Sequence, residues 1–466
     1  MLSFVIFAIS FAIFLIVLVF YLYPGSRRLT TIPGLDPSDG KDGNLSDITE
    51  AGGIHPFLVK LHEKYGEISG FWFGDSYIVS LGSAELFKQH LKVFDRPGVL
   101  FKCLEPLIGS DSIQFANGID GRQRRKHYDR YFSHSWSISY FKTFYEIGGT
   151  LVDKWASIPQ NEHIPLHQYM MALSLKGILR TAFGFTFSEK DVIKFHRLYE
   201  LVFSDLCSRL TECKLDSENS HDQRILKAID EMKIMVSNVI EERKKAKGKE
   251  VFVDFLLNES LPKEHLISEC LTYIIGGFHT TGNLITWAVY YLASHLKFQD
   301  KLYNELCEVF GNGDLTEEKL TELTFLNQII KETLRLSILA PYAARYQEID
   351  VEIGGHIIPK KTPVLHALGV VLRDPTVWPM PDKFDPTRFE PEAEKSRPSL
   401  SFSPFGFAGQ RACPAKNFAV TEAIVYLALF FRRFKIGLVD DQLVIPVYSL
   451  VSHPEDEIWI TVTPRK

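Results

Sequence analysis

The chain has 466 residues, 45% of them hydrophobic, enough for a large core arranged as one big domain or two ordinary ones. A formal net charge of -5 excludes a general nucleic-acid binder. The six cysteines (Cys103, Cys207, Cys213, Cys270, Cys307, Cys413) form no CxxC pair and have no histidine partners at zinc spacing, which excludes a disulfide framework and fits a reducing compartment.

Residues Leu2–Tyr23 are almost wholly apolar, interrupted by Ser3 and Ser10 and free of charge. A helix of about 20 such residues spans a bilayer core of about 30 Å. The stretch is too long for a signal-peptide core, and no small-residue cleavage pattern follows it. Pro24-Gly25-Ser26 ends the helix, and Arg27 and Arg28 behind it place the rest of the chain in the cytosol. The expected organisation is a transmembrane signal anchor over 1–24, a proline- and glycine-rich linker over 25–50 and a single catalytic body over 51–466.

Glu67–Leu81 alternates apolar and polar residues about Gly74-Asp75 and predicts a hairpin. From about Ser83 to Phe310 helical periodicity dominates. Within it Arg122, Arg124, Arg125, Lys126, His127 and Arg130 form a basic cluster, which reads as a solvated helix face, a binder of cofactor carboxylates or a docking face for an acidic partner. Glu264–Leu296 is a long apolar helical run that nevertheless contains Gly276, Gly277 and Gly282. Each glycine costs about 1 kcal/mol against alanine inside a helix, so three together need a reason. The hydroxyl of Thr280 can reach the carbonyl of Gly276 and open a polar notch for a small ligand or water. Close helix–helix packing explains the glycines equally well, and both readings stand.

Glu332 and Arg335 share one face of the helical run Leu326–Leu336, and Arg388 at the end of the proline-rich stretch from Asp374 can join them. A carboxylate shared by two guanidiniums would pin that meander to the helix. Arg345, after Pro341, is a candidate cation for an acidic cofactor. Val351–Ile358 predicts a second hairpin. Last comes Gly406-Phe407-Ala408-Gly409-Gln410-Arg411-Ala412-Cys413-Pro414-Ala415, ahead of an apolar helical run from Asn417 to Phe431. This order sets Cys413 at a helix start, where free N–H groups and the helix dipole favour a thiolate. Gly409 permits close backbone approach to a flat ligand, and Arg411 supplies a cation beside it. The fold class expected is mainly α (α+β), helix-rich with small β units.

These pieces, in this order, resemble the cytochrome P450 superfamily of haem-thiolate monooxygenases. The resemblance rests on Gly276-Gly277-x-x-Thr280-Thr281, Glu332-x-x-Arg335, Pro386-x-Arg388-Phe389 and Gly409-x-Arg411-x-Cys413, and the anchor extends it over almost the whole length. Val309–Gly313 and Leu365–Leu372 make the chain most similar to the animal family numbered twenty. The resemblance implies the cytochrome P450 fold and haem b (iron protoporphyrin IX) with Cys413 as its axial thiolate. It implies Arg411, Arg345 and Arg124 at the haem propionates, Thr280 above the iron, and Glu332, Arg335 and Arg388 as a structural lock. It further implies insertion of one oxygen atom from O2 into a lipophilic small molecule such as a sterol, retinoid or fatty acid. The implied partners are an NADPH-dependent flavoprotein reductase, with cytochrome b5 as a further donor, on the endoplasmic reticulum membrane.

The chain departs from the family pattern in four places. His279 stands where an acid usually precedes the threonine and can relay protons near neutral pH. Gly406 replaces a phenylalanine, the tryptophan expected after Gly121 is absent, and Leu372 replaces a common histidine. His279 also leaves open a haem-thiolate isomerase or dehydratase that needs no O2, and a low-turnover haem sensor remains a third reading.

Overall fold

A computed structural model describes residues 2–22, 30–209, 214–246, 248–407 and 409–465. Its body is mainly helical, with one four-stranded sheet and three smaller ones among the described residues. The hairpin expected about Gly74-Asp75 forms from strands Ile68–Phe73 and Ser76–Leu81, with Phe73 opposite Ser76 and Gly74 at φ +62°. A positive φ there is the conformation a two-residue hairpin loop demands, and glycine adopts it without strain. Val364–His366 adds in parallel to this hairpin and Ala343–Arg345 closes the sheet antiparallel, so Arg345 leaves the sheet at its edge. The second expected hairpin is present as Val351–Ile353 and His356–Ile358.

The segment expected as a linker is held to this sheet where it is described. Gly70 donates its N–H to the Pro33 carbonyl at 2.8 Å, and its own carbonyl accepts from Leu35 at 2.9 Å. Asn44 is fully buried, and Leu45–Glu50 is a short helix packed on the next one. Its Pro-, Gly- and Asp-rich composition reads as loop because these backbone contacts lie far away in sequence. The hinge Pro24–Arg28 lies outside the described residues.

The first helix runs Leu2–Leu22, and its described side chains extend from Val5 to Leu18, with Phe7, Phe11 and Phe14 all exposed. Among the described residues, no helix is long and apolar enough to cross a membrane.

Three helices position the site: Lys263–Ser294, Thr324–Ser337 and Lys416–Arg433. They pack on one another, and Lys263–Ser294 also on Leu166–Ala182, in one continuous apolar core that includes Trp155, Phe278, Trp287 and Phe430. At about 25 cal/mol per Å2 of apolar surface removed from water, such burial is the main stabilising term. The three-residue lock is assembled at its edge. Glu332 and Arg335 are both fully buried, with Arg335 Nε donating to Glu332 Oε2 at 2.7 Å and Nη2 donating to Oε1 at 2.9 Å. Arg388 completes the set as an ion pair, its Nε 3.3 Å from Glu332 Oε1, while the backbone N–H of Asp385 donates to the same oxygen at 2.9 Å. Arg335 also donates to the carbonyls of Leu372 and Lys383, so one buried cation–carboxylate unit ties the proline-rich meander to the helix.

Candidate active site

Cys413 follows a short turn, Gly409–Arg411, and precedes the Lys416–Arg433 helix. Gly406 and Gly409 take φ values of +74° and +44°, left-handed backbone that a side-chain-bearing residue would strain. The loop is closed by the Cys413 N–H, which donates to the Phe405 carbonyl at 2.8 Å. The cysteine is solvent-accessible, yet surrounding protein raises its thiol pKa by desolvation. The Ala415 backbone N–H and the Arg125 and Arg96 guanidiniums act in the opposite direction and favour the thiolate.

Four guanidiniums converge on this loop. Arg125 Nη2 donates to the Ala412 carbonyl at 2.6 Å, and Arg345 Nη2 to the Arg411 carbonyl at 3.2 Å. Arg411 Nη2 reaches the carbonyls of Gln114 and Ala116 at 3.2 and 2.9 Å and lies 4.7 Å over the Phe94 ring. Arg96 bonds the side-chain oxygen of Gln114. Among the described residues the only carboxylate paired with any of the four is Asp129, 2.7 Å from Arg125. Burial, and then mutual repulsion, lowers Arg96 to about 10, Arg345 to about 9 and Arg411 to about 8. The Nε atoms of Arg96, Arg345 and Arg411 are buried and have no hydrogen-bond partner among the described residues. Buried cations are kept charged only by an opposite charge, so this cluster has the chemistry of a receptor for a group with carboxylates.

Across the core, the glycines of the Lys263–Ser294 helix divide between the two sequence readings. A Cβ on Gly277 would lie 2.6 Å from Ile178, and one on Gly282 2.6 Å from the Met171 sulfur. Both are close-packing positions against Leu166–Ala182. Gly276 has nothing within 4 Å of that point and is exposed. Thr280, one turn on, donates its hydroxyl to the Gly276 carbonyl at 2.8 Å, which is the polar notch expected from the sequence.

His279 turns elsewhere. Its Nδ1 is 2.7 Å from the Tyr199 hydroxyl and its ring packs 4.7 Å from Phe203. Burial, and then His453, His167 and His196, hold its pKa well below the ordinary histidine value. It is therefore a neutral imidazole at neutral pH, without the near-neutral titration a proton relay was expected to use. His279 lines a cavity of about 720 Å3 together with Leu100, Tyr199, Phe203, Leu450 and His453.

The Cytochrome P450 family profile matches residues 42–461. The chain belongs to the cytochrome P450 family. It is 36% identical over 468 residues to Cytochrome P450 20A1 of Mus musculus, and 35% identical over 471 residues to Cytochrome P450 20A1 of Homo sapiens, with all of each chain covered in both cases. Similarity extends to Cytochrome P450 4F12 of Homo sapiens, 28% identical over 79% of this chain and 76% of the relative. Cytochrome P450 membership makes the protein a haem-thiolate monooxygenase, with iron protoporphyrin IX and a cysteine axial ligand. The residues present fit that group: one accessible cysteine beside a surplus of buried guanidinium donors, where two propionates supply the missing negative charge.

Of the cations expected at the propionates, Arg411 and Arg345 are in the cluster and Arg124 is not. The Arg124 guanidinium is taken by Asp120 at 2.9 Å and Glu269 at 3.2 Å. Arg125, its neighbour about 100° around the helix, turns to the cysteine loop instead. Arg96 went unnoticed in the sequence, although Asp95-Arg96-Pro97 marks a constrained turn that could have drawn attention to it.

Proposed function

We propose that the protein oxygenates a lipophilic small molecule of sterol, retinoid or fatty-acid type, with Cys413 ligating the haem iron. The observation that carries the reading is the convergence of Arg96, Arg125, Arg345 and Arg411 on the Cys413 loop with a single carboxylate paired to them among the described residues. Bound haem supplies activation of O2 and transfer of one oxygen atom to a C–H bond or alkene. The protein's part is positioning. Arg411, Arg345, Arg125 and Arg96 would hold the propionates of a bound haem, and Gly409 would permit close approach of the backbone to it. The Ala415 N–H, Arg125 and Arg96 favour the thiolate against the desolvation that raises the Cys413 pKa, and iron ligation would complete the deprotonation. Thr280, with Gly276 open beside it, would offer a hydroxyl for positioning a proton or a water when haem is bound. His279 serves as a neutral wall group, bonded to Tyr199, between this notch and the cavity.

The cavity supports the substrate class. Its lining mixes apolar side chains such as Ile48, Ile54, Phe73, Leu100 and Leu450 with polar ones such as His167, Glu200, His279 and His453. A largely apolar molecule that carries hydrogen-bonding groups matches that lining. Electrons come from an NADPH-dependent flavoprotein reductase, with cytochrome b5 as a further donor. The apolar stretch Leu2–Tyr23 followed by Arg27 and Arg28 supports a single-pass anchor in the endoplasmic reticulum membrane, with residues 25–50 leading into a cytosolic catalytic domain over 51–466.

The test is a spectral-shift screen of sterols, retinoids and fatty acids against the ferric protein, followed by turnover of the hits with reductase. NADPH- and O2-dependent formation of a product heavier by one oxygen is expected. A product formed equally well without NADPH would instead establish the isomerase reading.

A further inference from the structure

The cavity of about 720 Å3 is lined by the carboxylates of Glu200, Glu455, Asp456 and Glu457, and by no lysine or arginine among the described residues. Three of these acids are answered by backbone or by solvent. Glu457 accepts the backbone N–H groups of His167, Gln168 and Ile458 at 2.6, 3.2 and 3.0 Å. Glu455 and Asp456 are exposed between the strands Ser452–Pro454 and Trp459–Pro464. Glu200 remains.

Glu200 belongs to the helix Glu189–Ser208 and follows Tyr199, whose hydroxyl meets His279 Nδ1 at 2.7 Å. Half of its side chain is exposed, and its one ion-pair partner among the described residues is His196, with Nε2 3.1 Å from Oε1. His167 packs 6.4 Å from the His196 ring, and it and His453 also face the carboxylate. Burial raises the Glu200 pKa, the contact with His196 and the neighbouring histidines lower it, and the balance lies below the ordinary value. The group is therefore a carboxylate at neutral pH, with no lysine or arginine paired to it among the described residues. Tyr199 and Phe203, on the same helix, line the cavity too, their rings 5.2 Å apart. Aromatic faces beside a carboxylate suit a cation with an apolar body.

We propose that Glu200 sets the specificity of this cavity for a lipophilic cation, a substrate whose apolar body carries a protonated or quaternary amine that pairs with the Glu200 carboxylate. The inference rests on the reading of the cavity as the place where the substrate binds, and it narrows the class given above by its head group. A fatty-acid carboxylate would meet a like charge with no lysine or arginine in the lining to offset it. The residue that attracts the amine thus also rejects the acid. A neutral alcohol head falls between the two.

The test compares three probes that share one hydrocarbon chain: dodecyltrimethylammonium, dodecanol and dodecanoate. Each is titrated into the full-length, haem-loaded ferric protein and followed by its spectral shift, with calorimetry for a probe that gives none. The quaternary nitrogen has no lone pair and cannot ligate iron, so its binding reports the cavity. The expected order of affinity is ammonium, then alcohol, then carboxylate. Glu200→Gln should weaken the ammonium probe by about tenfold and leave the alcohol within about twofold, while Glu200→Asp keeps the wild-type order. Wild type that binds dodecanoate at least as tightly as the ammonium probe would overturn the proposal. So would an ammonium affinity unchanged in Glu200→Gln, or a loss shared equally by all three probes. Should a variant fail to load haem, the wild-type order alone decides. Binding is measured without NADPH, so a failure of oxygenation would count against the proposed function and leave this order standing.

Discussion

At the scale of single residues, Arg345 and Arg411 are cations almost wholly removed from water, each with a buried Nε that bonds to nothing among the described residues. Desolvation of such a group costs several kcal/mol unless an anion answers it, so the cluster should weaken the haem-free protein and tighten the loaded one. Arg345→Leu is therefore expected to speed loss of haem to a competing apoprotein by about tenfold, equivalent to about 1.4 kcal/mol. The haem-free variant should melt no lower than the haem-free wild type, because an unpaired buried charge has gone. Equal haem loss in variant and wild type would remove Arg345 from the propionate site. The same scale shows what a sequence leaves hidden. Arg124 and Arg125 are adjacent members of one basic run, and only the rotation of their helix sends one to Glu269 and the other to the Ala412 carbonyl.

At the scale of elements, Gly276 and Gly277 are neighbours with opposite environments. Gly276→Ala adds a methyl where nothing lies within 4 Å and should raise stability by up to about 1 kcal/mol through helix propensity. Gly277→Ala forces a Cβ to within 2.6 Å of Ile178 and should lower stability, overpacking costing about 1–3 kcal/mol. Denaturant unfolding of the two variants checks the pair, and shifts of the same sign would refute the division of the glycines. The lock between helix and meander is expected to be far more costly to break. Glu332→Ala leaves Arg335 buried without its carboxylate and should cost about 3–5 kcal/mol, measured by the same unfolding transition. This lock was legible in the sequence because the spacing of Glu332 and Arg335 is fixed by helix geometry alone. Both hairpins were legible as well, since Gly74-Asp75 and Gly354-Gly355 write their turns locally. Leu45–Glu50 was not, because its helix depends on contacts to the remote strand Ile68–Phe73.

Over the whole molecule, burial holds several histidines neutral. His55 is lowered to about 3, His90 and His167 to about 4, and His279 and His366 well below the ordinary value. Each binds a proton near pH 6.5 only when the chain unfolds, so the unfolded state takes up more protons as the pH falls. Stability should be intact above about pH 6.5 and fall below it, each histidine contributing up to about 1.4 kcal/mol per pH unit. A thermal midpoint lower at pH 5.5 than at pH 7.5 is expected, and an unchanged or higher midpoint would contradict the assignment. The central claim is that the arginine cluster and the cysteine loop together make a haem-thiolate site. The reduced, CO-bound spectrum of Cys413→Ser beside that of wild type tests it most directly. Wild type should show the long-wavelength Soret band of thiolate ligation and the variant should lose it, whereas a variant that keeps the band would show that the sulfur on the iron is not Cys413.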